Sequence, residues 1–178
     1  MVVITESSEV VADDKFNLRI WESICADQDI AHLPHKIETN ELGQVVMMPP
    51  PGRYHGNFQA EFAAEFRLHV STGKVLGEFA LSTSKGVKGP DAGWCSEERW
   101  EEQGDAPIFL TAPEICVEVM SDSNTEAEIA QKKGLYFEKG ADEVWIVSTS
   151  GTVSFFPRSD PSTPLTDSAI CPPFPKQL

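Results

Sequence analysis

An acid in the middle of an apolar strand is the feature that most constrains this chain. The run Pro113-Glu114-Ile115-Cys116-Val117-Glu118-Val119-Met120-Ser121 has strand composition. Side chains alternate along a strand, so Ile115, Val117 and Val119 point one way, into a core. Glu114, Cys116, Glu118 and Met120 point the other way. A buried, unpaired carboxylate costs several kcal/mol by order of magnitude. Glu118 therefore needs a metal, a lysine or water beside it, unless its strand lies at an edge facing solvent.

The next elements along the chain fix the topology around that strand. Thr125–Lys139 reads as an amphipathic helix, preceded by two overlapping capping boxes, Ser123-x-x-Glu126 and Thr125-x-x-Glu128. Gly140 is placed as its C′ residue. Glu143–Ser148 and Thr152–Phe156 then read as a hairpin around Ser150-Gly151. Strand, helix and strand in succession predict a right-handed parallel crossover.

Upstream, Phe16–Cys25 reads as a short helix and Gln44–Met48 as the first clear strand. That strand stops at Pro49-Pro50-Pro51-Gly52. Phe58, Phe62, Phe66 and Val70 repeat at i+4 and predict a helix over 56–70, ended by Gly73. Lys74–Ser84 and Pro90–Cys95 read as strands, with a polar turn over 82–89. Glu97–Pro107 reads as an acidic loop or short helix. The expected class is mixed α/β (α+β), with a central mixed sheet of five or six strands and two main helices. Residues 1–35 read as a partly helical extension whose first fifteen residues fray, 36–157 as the domain, and 158–178 as a proline-rich tail laid over it.

Charge narrows the functional classes. The chain of 178 residues carries net −14, concentrated in residues 91–143 with 14 acids and 4 bases. This is not the basic footprint of a nonspecific DNA binder. The segment 44–90 alone is slightly basic. Arg53, Arg67, Lys74, Lys85 and Lys88 would have to form any phosphate-facing rim. The four cysteines, Cys25, Cys95, Cys116 and Cys171, are scattered without a CxxC pair, which argues against a zinc knuckle or a disulfide framework. No apolar run reaches the roughly 18–20 residues of a membrane helix. The first residues lack the basic and apolar regions of a signal peptide. The expectation is a reduced, cytoplasmic protein with no membrane association.

Three groups can converge on the strand's acidic face. Asp91 follows Pro90 and opens an otherwise apolar strand. Lys132 lies on the helix after the Glu118 strand and shares a helix face with Tyr136 at i+4. Lys133 is the alternative lysine. Asp91 and Glu118, with Glu114 nearby, could hold Mg²⁺ or Mn²⁺ through hard oxygens. Such an ion lowers the pKa of a bound water and neutralises charge on a scissile phosphate. Lys132 could orient the water or stabilise the transition state. The reaction class would be phosphodiester hydrolysis. His55 reads as a residue that caps or packs a helix start, and His32, His35 and His69 as surface residues.

These segments together resemble the Uma2-type (DUF820) branch of the PD-(D/E)XK, restriction-endonuclease-like superfamily. Glu41–Pro51 is similar to its opening hairpin, and His55 to a histidine that opens its first long helix. Pro90-Asp91 is similar to the "PD" motif, and Pro113–Ser121 to "PDLVVEVLS". Lys132-x-x-x-Tyr136 and Gly140–Val147 are similar to "KLxxYxxxGVxEYWLVD", and Phe174-Pro175 to its tail. The resemblance spans residues 36 to 178. It implies that Asp91 and Glu118 are metal ligands. It also implies that the lysine comes from the following helix, because Met120 holds the position two residues after the second acid. A helix acid often assists in the superfamily, and Glu61 or Glu65 could serve, though neither matches a fixed motif position. Departures are Glu114 in place of aspartate, Gly134 inside the helix, and Ser148-Thr149-Ser150 without an aspartate.

The resemblance leaves more than one function open. The first is a metal-dependent endonuclease acting on DNA, which the charge of −14 disfavours. The second is a catalytically inactive module of the same fold, acting in protein interaction or regulation. A third is a metal-dependent hydrolase of another substrate. The resemblance also makes a homodimer an expectation.

Overall fold

The computed structural model describes residues 11–178 apart from 32, 34, 49, 122 and 123. The expectations for residues 1–10, His32, Pro49 and Ser123 fall outside those residues. The chain is a mixed α/β fold. Its central sheet has five strands in the order β3-β6-β7-β8-β9: β3 (Lys74–Leu76), β6 (Ala92–Cys95), β7 (Ile115–Val119), β8 (Glu143–Val147) and β9 (Val153–Pro157). β7 and β8 run parallel, with Ile115 opposite Glu143 and Val119 opposite Val147; the other neighbours are antiparallel. β7 is the middle strand and is buried along its whole length, so the edge-strand alternative for Glu118 is excluded.

Each face of the sheet has its own core. On one face lie Ile115, Val117 and Val119, covered by Phe58, Phe62 and Phe66 of α3 (Arg53–His69) and by Phe174. The i+4 phenylalanine stripe is thus the buried face of a helix that begins three residues earlier than the sequence pattern predicted. On the other face lie Cys116, Val144 and Ile146, packed by Ile129, Leu135, Tyr136 and Phe137 of α5 (Glu126–Glu138). Of the two overlapping capping boxes, the one at Thr125 and Glu128 forms: each side chain accepts from the other's backbone N–H. Gly140 follows with φ +105, a conformation that favours glycine.

Three stretches differ from the sequence expectation. A strand, β1 (Lys36–Thr39), precedes β2 (Val45–Met48) and pairs with it antiparallel, with Lys36 opposite Met48. The stretch 74–84 breaks after Leu76. Its second half becomes β4 (Leu81–Thr83), which pairs with β5 (Gly86–Lys88) where a polar turn was expected. Ser82 and Thr83 are buried because α1 (Asp14–Ala26) supplies their partner. Asn17 Nδ2 donates to Ser82 Oγ and to the Thr83 carbonyl, each at 2.9 Å. With α1, the described residues hold three long helices rather than two. A short α2 (Gln28–Ala31) follows α1, and the acidic stretch forms α4 (Glu97–Glu102).

The C-terminal residues run across the domain. Leu165 bridges to Phe155 and Gln177 to Thr152, along the outer side of β9. Glu143 anchors this segment. It is buried and accepts from Trp145 Nε1, Ser168 Oγ and the Ala169 and Ile170 amides. Fully met by neutral donors, Glu143 is a structural acid.

Candidate functional site

The antiparallel register of β6 and β7 sets Ala92 against Val117. One step further along the same ladder, Asp91 lies beside Glu118. The Asp91 amide donates to the Val117 carbonyl at 2.9 Å, which fixes the strand start. Both acids are buried, 2% and 3% exposed, and both line one cleft of about 390 Å³. Lys36, His55 and Lys132 line the same cleft, with Met48, Pro50 and Pro51 on its apolar side.

Asp91 is held by four groups. Its Oδ1 accepts from Lys36 Nζ at 2.6 Å. Its Oδ2 accepts from the Val119 amide at 2.8 Å and lies 3.1 Å from His55 Nε2. Its own carbonyl accepts from Gln59 Nε2 at 2.9 Å. Burial pushes this carboxyl up, but the His55 hydrogen bond and the Lys36 charge outweigh it and hold Asp91 down at about 2. His55 moves up in return, through its bond to Asp91 and against the effect of burial.

Glu118 sits under α5. Lys132 Nζ reaches both its oxygens, at 3.4 and 3.2 Å. Tyr136, one turn on, donates its hydroxyl to Glu118 Oε1. The i,i+4 face expected for Lys132 and Tyr136 is therefore the face that meets the acid. Burial is the largest influence on Glu118 and keeps it above the usual carboxylate range, although Lys132 pulls it down. Lys132 itself is raised: burial lowers it, but Glu118 and Glu38 prevail. Lys133 points elsewhere, its Nζ 3.7 Å above the Phe156 ring.

Sequence reasoning missed two members of this cluster, both on β1. Lys36 is the Asp91 partner. Glu38, 3% exposed, accepts from Lys132 Nζ at 2.8 Å and from the Gly89 amide at 3.3 Å. Lys88, one of the bases expected at a rim, lies 3.9 Å from Glu38 and donates to the Thr39 carbonyl at 2.8 Å. The one available signal was the Lys36-x-Glu38 spacing, which puts both side chains on one strand face.

The other nominated residues lie apart. Glu114 shares a strand face with Glu118 but is four residues away, about 13 Å along a strand. It accepts from the Ser96 amide at 3.0 Å and lies 3.5 Å from Arg99 Nε. Glu61 is exposed, and Glu65 lies 3.7 Å from His69 on the surface of α3. Neither lines the cleft. Met120 packs against the α5 core, so the position two residues after Glu118 has no polar role. The basic residues of 44–90 go to separate partners. Arg53 stacks on Tyr54, Arg67 reaches the Gly73 carbonyl, Lys74 pairs with Glu97, and Lys85 lies near Glu41.

A separate cavity of about 400 Å³ lies beside α1 and is lined by Trp21, Ile24, Ile37 and Phe79. His35 and Glu78 also line it, and Glu78 is shared with the cleft.

The family model Uma2, described as "Putative restriction endonuclease", matches residues 27–169. The chain belongs to the Uma2 family. Among solved structures, this Uma2 chain is similar to a "putative nuclease belonging to DUF820" from Anabaena variabilis. The two are 19% identical with a TM-score of 0.60, over 75% of this chain and 78% of the other. That likeness establishes the shared fold. No curated protein matches the Uma2 chain.

The cleft's donor chemistry suits a divalent cation. Asp91 and Glu118 offer hard carboxylate oxygens from adjacent strands, and Asp91 is ionised at any ordinary pH. Among the described residues, no group of three or more His, Cys, Asp or Glu side chains is gathered for an ion. The protein's contribution would be the acid pair. All four of its carboxylate oxygens already have nitrogen or hydroxyl partners, two of them lysine ammonium groups.

Proposed function

We propose that this Uma2 protein is a metal-dependent nuclease that hydrolyses phosphodiester bonds of DNA in the cleft between β6, β7 and α5. The observation that carries this reading is the convergence of Asp91, Glu118 and Lys132 there, from three separate elements. Asp91 and Glu118 would hold Mg²⁺ or Mn²⁺, with no other protein ligand assigned. A bound divalent ion supplies a water of lowered pKa and neutralises phosphate charge.

The chain's own groups have defined tasks. Lys132 is held between Glu38 and Glu118 and keeps its proton throughout the physiological range. Its fixed charge would stabilise the phosphorane-like transition state. Tyr136 orients Glu118, and His55 and the Val119 amide orient Asp91. These partners preset the ligand geometry, as supporting hydrogen bonds do around metal sites generally.

The acidic exterior bears on the substrate. With no shared basic rim, duplex binding by counterion release is weak. Contact with DNA would centre on the cleft cations instead.

The test is cleavage of plasmid and single-stranded DNA at low salt in Mg²⁺ and in Mn²⁺. Wild type would run beside Asp91→Asn and Glu118→Gln. Cleavage that disappears in both variants and in chelator is the expected result. Cleavage that survives both substitutions, or absence of cleavage in every condition, contradicts the reading. The latter outcome leaves the inactive interaction module.

A further inference from the structure

Of the partners of Asp91, Lys36 is the one carried on a long, unbranched side chain. The Val119 amide is fixed in β7, and His55 stands on α3. Lys36, by contrast, reaches Asp91 Oδ1 through a flexible stem from the β1–β2 hairpin. The fold makes room for that stem. A Cβ at Gly89 would lie 2.7 Å from Lys36 Cε, so any other residue there would push the lysine aside. With His55 also beside Asp91, the cluster carries no excess negative charge for an ion to meet. Three carboxylates (Glu38, Asp91, Glu118) face three ammonium groups (Lys36, Lys88, Lys132).

We infer that Lys36 is a displaceable cation that contends with a divalent metal for Asp91 Oδ1, so that metal and DNA phosphate enter the cleft together. The inference rests on the nuclease reading and adds the role of Lys36 to it. A divalent ion entering alone would leave the cluster with an uncompensated double positive charge. A phosphate entering with it removes part of that excess and offers the released ammonium a new partner. Lys36 is thus a positioning residue that couples the two ligands.

The experiment is titration of Mn²⁺ into the full chain at fixed pH and ionic strength, with free ion followed by electron paramagnetic resonance. Lys36→Met, Lys36→Arg and Lys88→Met are compared with wild type, and thermal melting confirms that each is folded. Lys36→Met is expected to bind Mn²⁺ roughly tenfold or more tightly than wild type, because a unit charge a few ångströms from the ion has gone. Lys36→Arg keeps the charge and stays near wild type. Adding a single-stranded oligonucleotide tightens Mn²⁺ binding in wild type more than in Lys36→Met. Equal affinity in wild type and Lys36→Met overturns the inference while leaving the metal reading intact. So does an equal gain in Lys88→Met, which would mark a general charge effect. Failure of every variant to bind Mn²⁺, with or without oligonucleotide, overturns the inference and the metal reading together.

Discussion

Lys132 Nζ lies 2.8 Å from Glu38 Oε1 and 3.2 Å from Glu118 Oε2, so a single ammonium joins two buried carboxylates from strands in different sheets. Lys132→Met leaves both acids without that charge. Breaking a buried pair in this way costs about 3–5 kcal/mol. Lys133→Met, which loses only a cation–π contact to Phe156, costs about 1 kcal/mol or less. Urea unfolding of the two variants measures the difference. Equal losses would contradict the assignment of Lys132 as the cleft lysine.

Asp91 gives the fold an acid limit. Its carboxyl is held at about 2 against an ordinary 3.8, so the folded state binds its proton more weakly than the unfolded state. The resulting stability is present above pH 3.8 and is lost as pH falls toward 2. A shift of this size corresponds to about 2 kcal/mol. Asp91→Asn should flatten the stability profile over that interval. An unchanged acid limb in the variant would show that other carboxylates set it.

His55 works in the opposite direction. Its bond to Asp91 raises it above 6.5, although burial opposes the rise. Its contribution to stability is fully present below pH 6.5 and is lost as pH rises through the folded-state value. A proton NMR titration should place the His55 midpoint above 6.5 in wild type and lower in Asp91→Asn. A midpoint that does not move would mean that the imidazole senses something other than Asp91.

Phe174 ties the proline-rich C-terminal segment to the central core. It is 3% exposed, and its ring centroid is 4.7 Å from Trp145 and 5.6 Å from Phe62. Phe174→Ala should cost about 3–5 kcal/mol, as truncation of a buried aromatic does. Leu165→Ala, at a residue 36% exposed, should cost about 1 kcal/mol or less. Thermal melting separates the two, and a near-neutral Phe174→Ala would place the segment outside the cooperative unit.

The parts of this fold that were legible in the sequence are those where local periodicity and tertiary burial agree. The phenylalanine stripe of α3, the alternation in β7 and the cap at Thr125 each record their environment within a few residues. Glu118 was legible because a charge inside an apolar strand has few explanations, whereas Asp91, at a strand start after Pro90, stood out chiefly through the resemblance of Pro90-Asp91 to a family motif. β1 was not legible. Lys-Ile-Glu-Thr carries one apolar residue, and its ions are stabilised by Asp91 and Lys132, which lie 55 and 94 residues away in the chain. β4 and β5 were hidden for a related reason. Ser82 and Thr83 look like loop residues until Asn17 arrives from α1 to satisfy them. Glu114 shows the reverse error: alternation gave its face correctly but carried no information about distance along the strand.

Crystals soaked in Mn²⁺ and measured for anomalous scattering would test the acid-pair site most directly. The predicted result is a single strong peak coordinated by oxygens of Asp91 and Glu118, with Lys36 Nζ withdrawn from Asp91 Oδ1. That peak should be lost in Glu118→Gln. A peak bound elsewhere, or a cleft in which both acids keep their lysine partners at saturating Mn²⁺, would contradict the metal site.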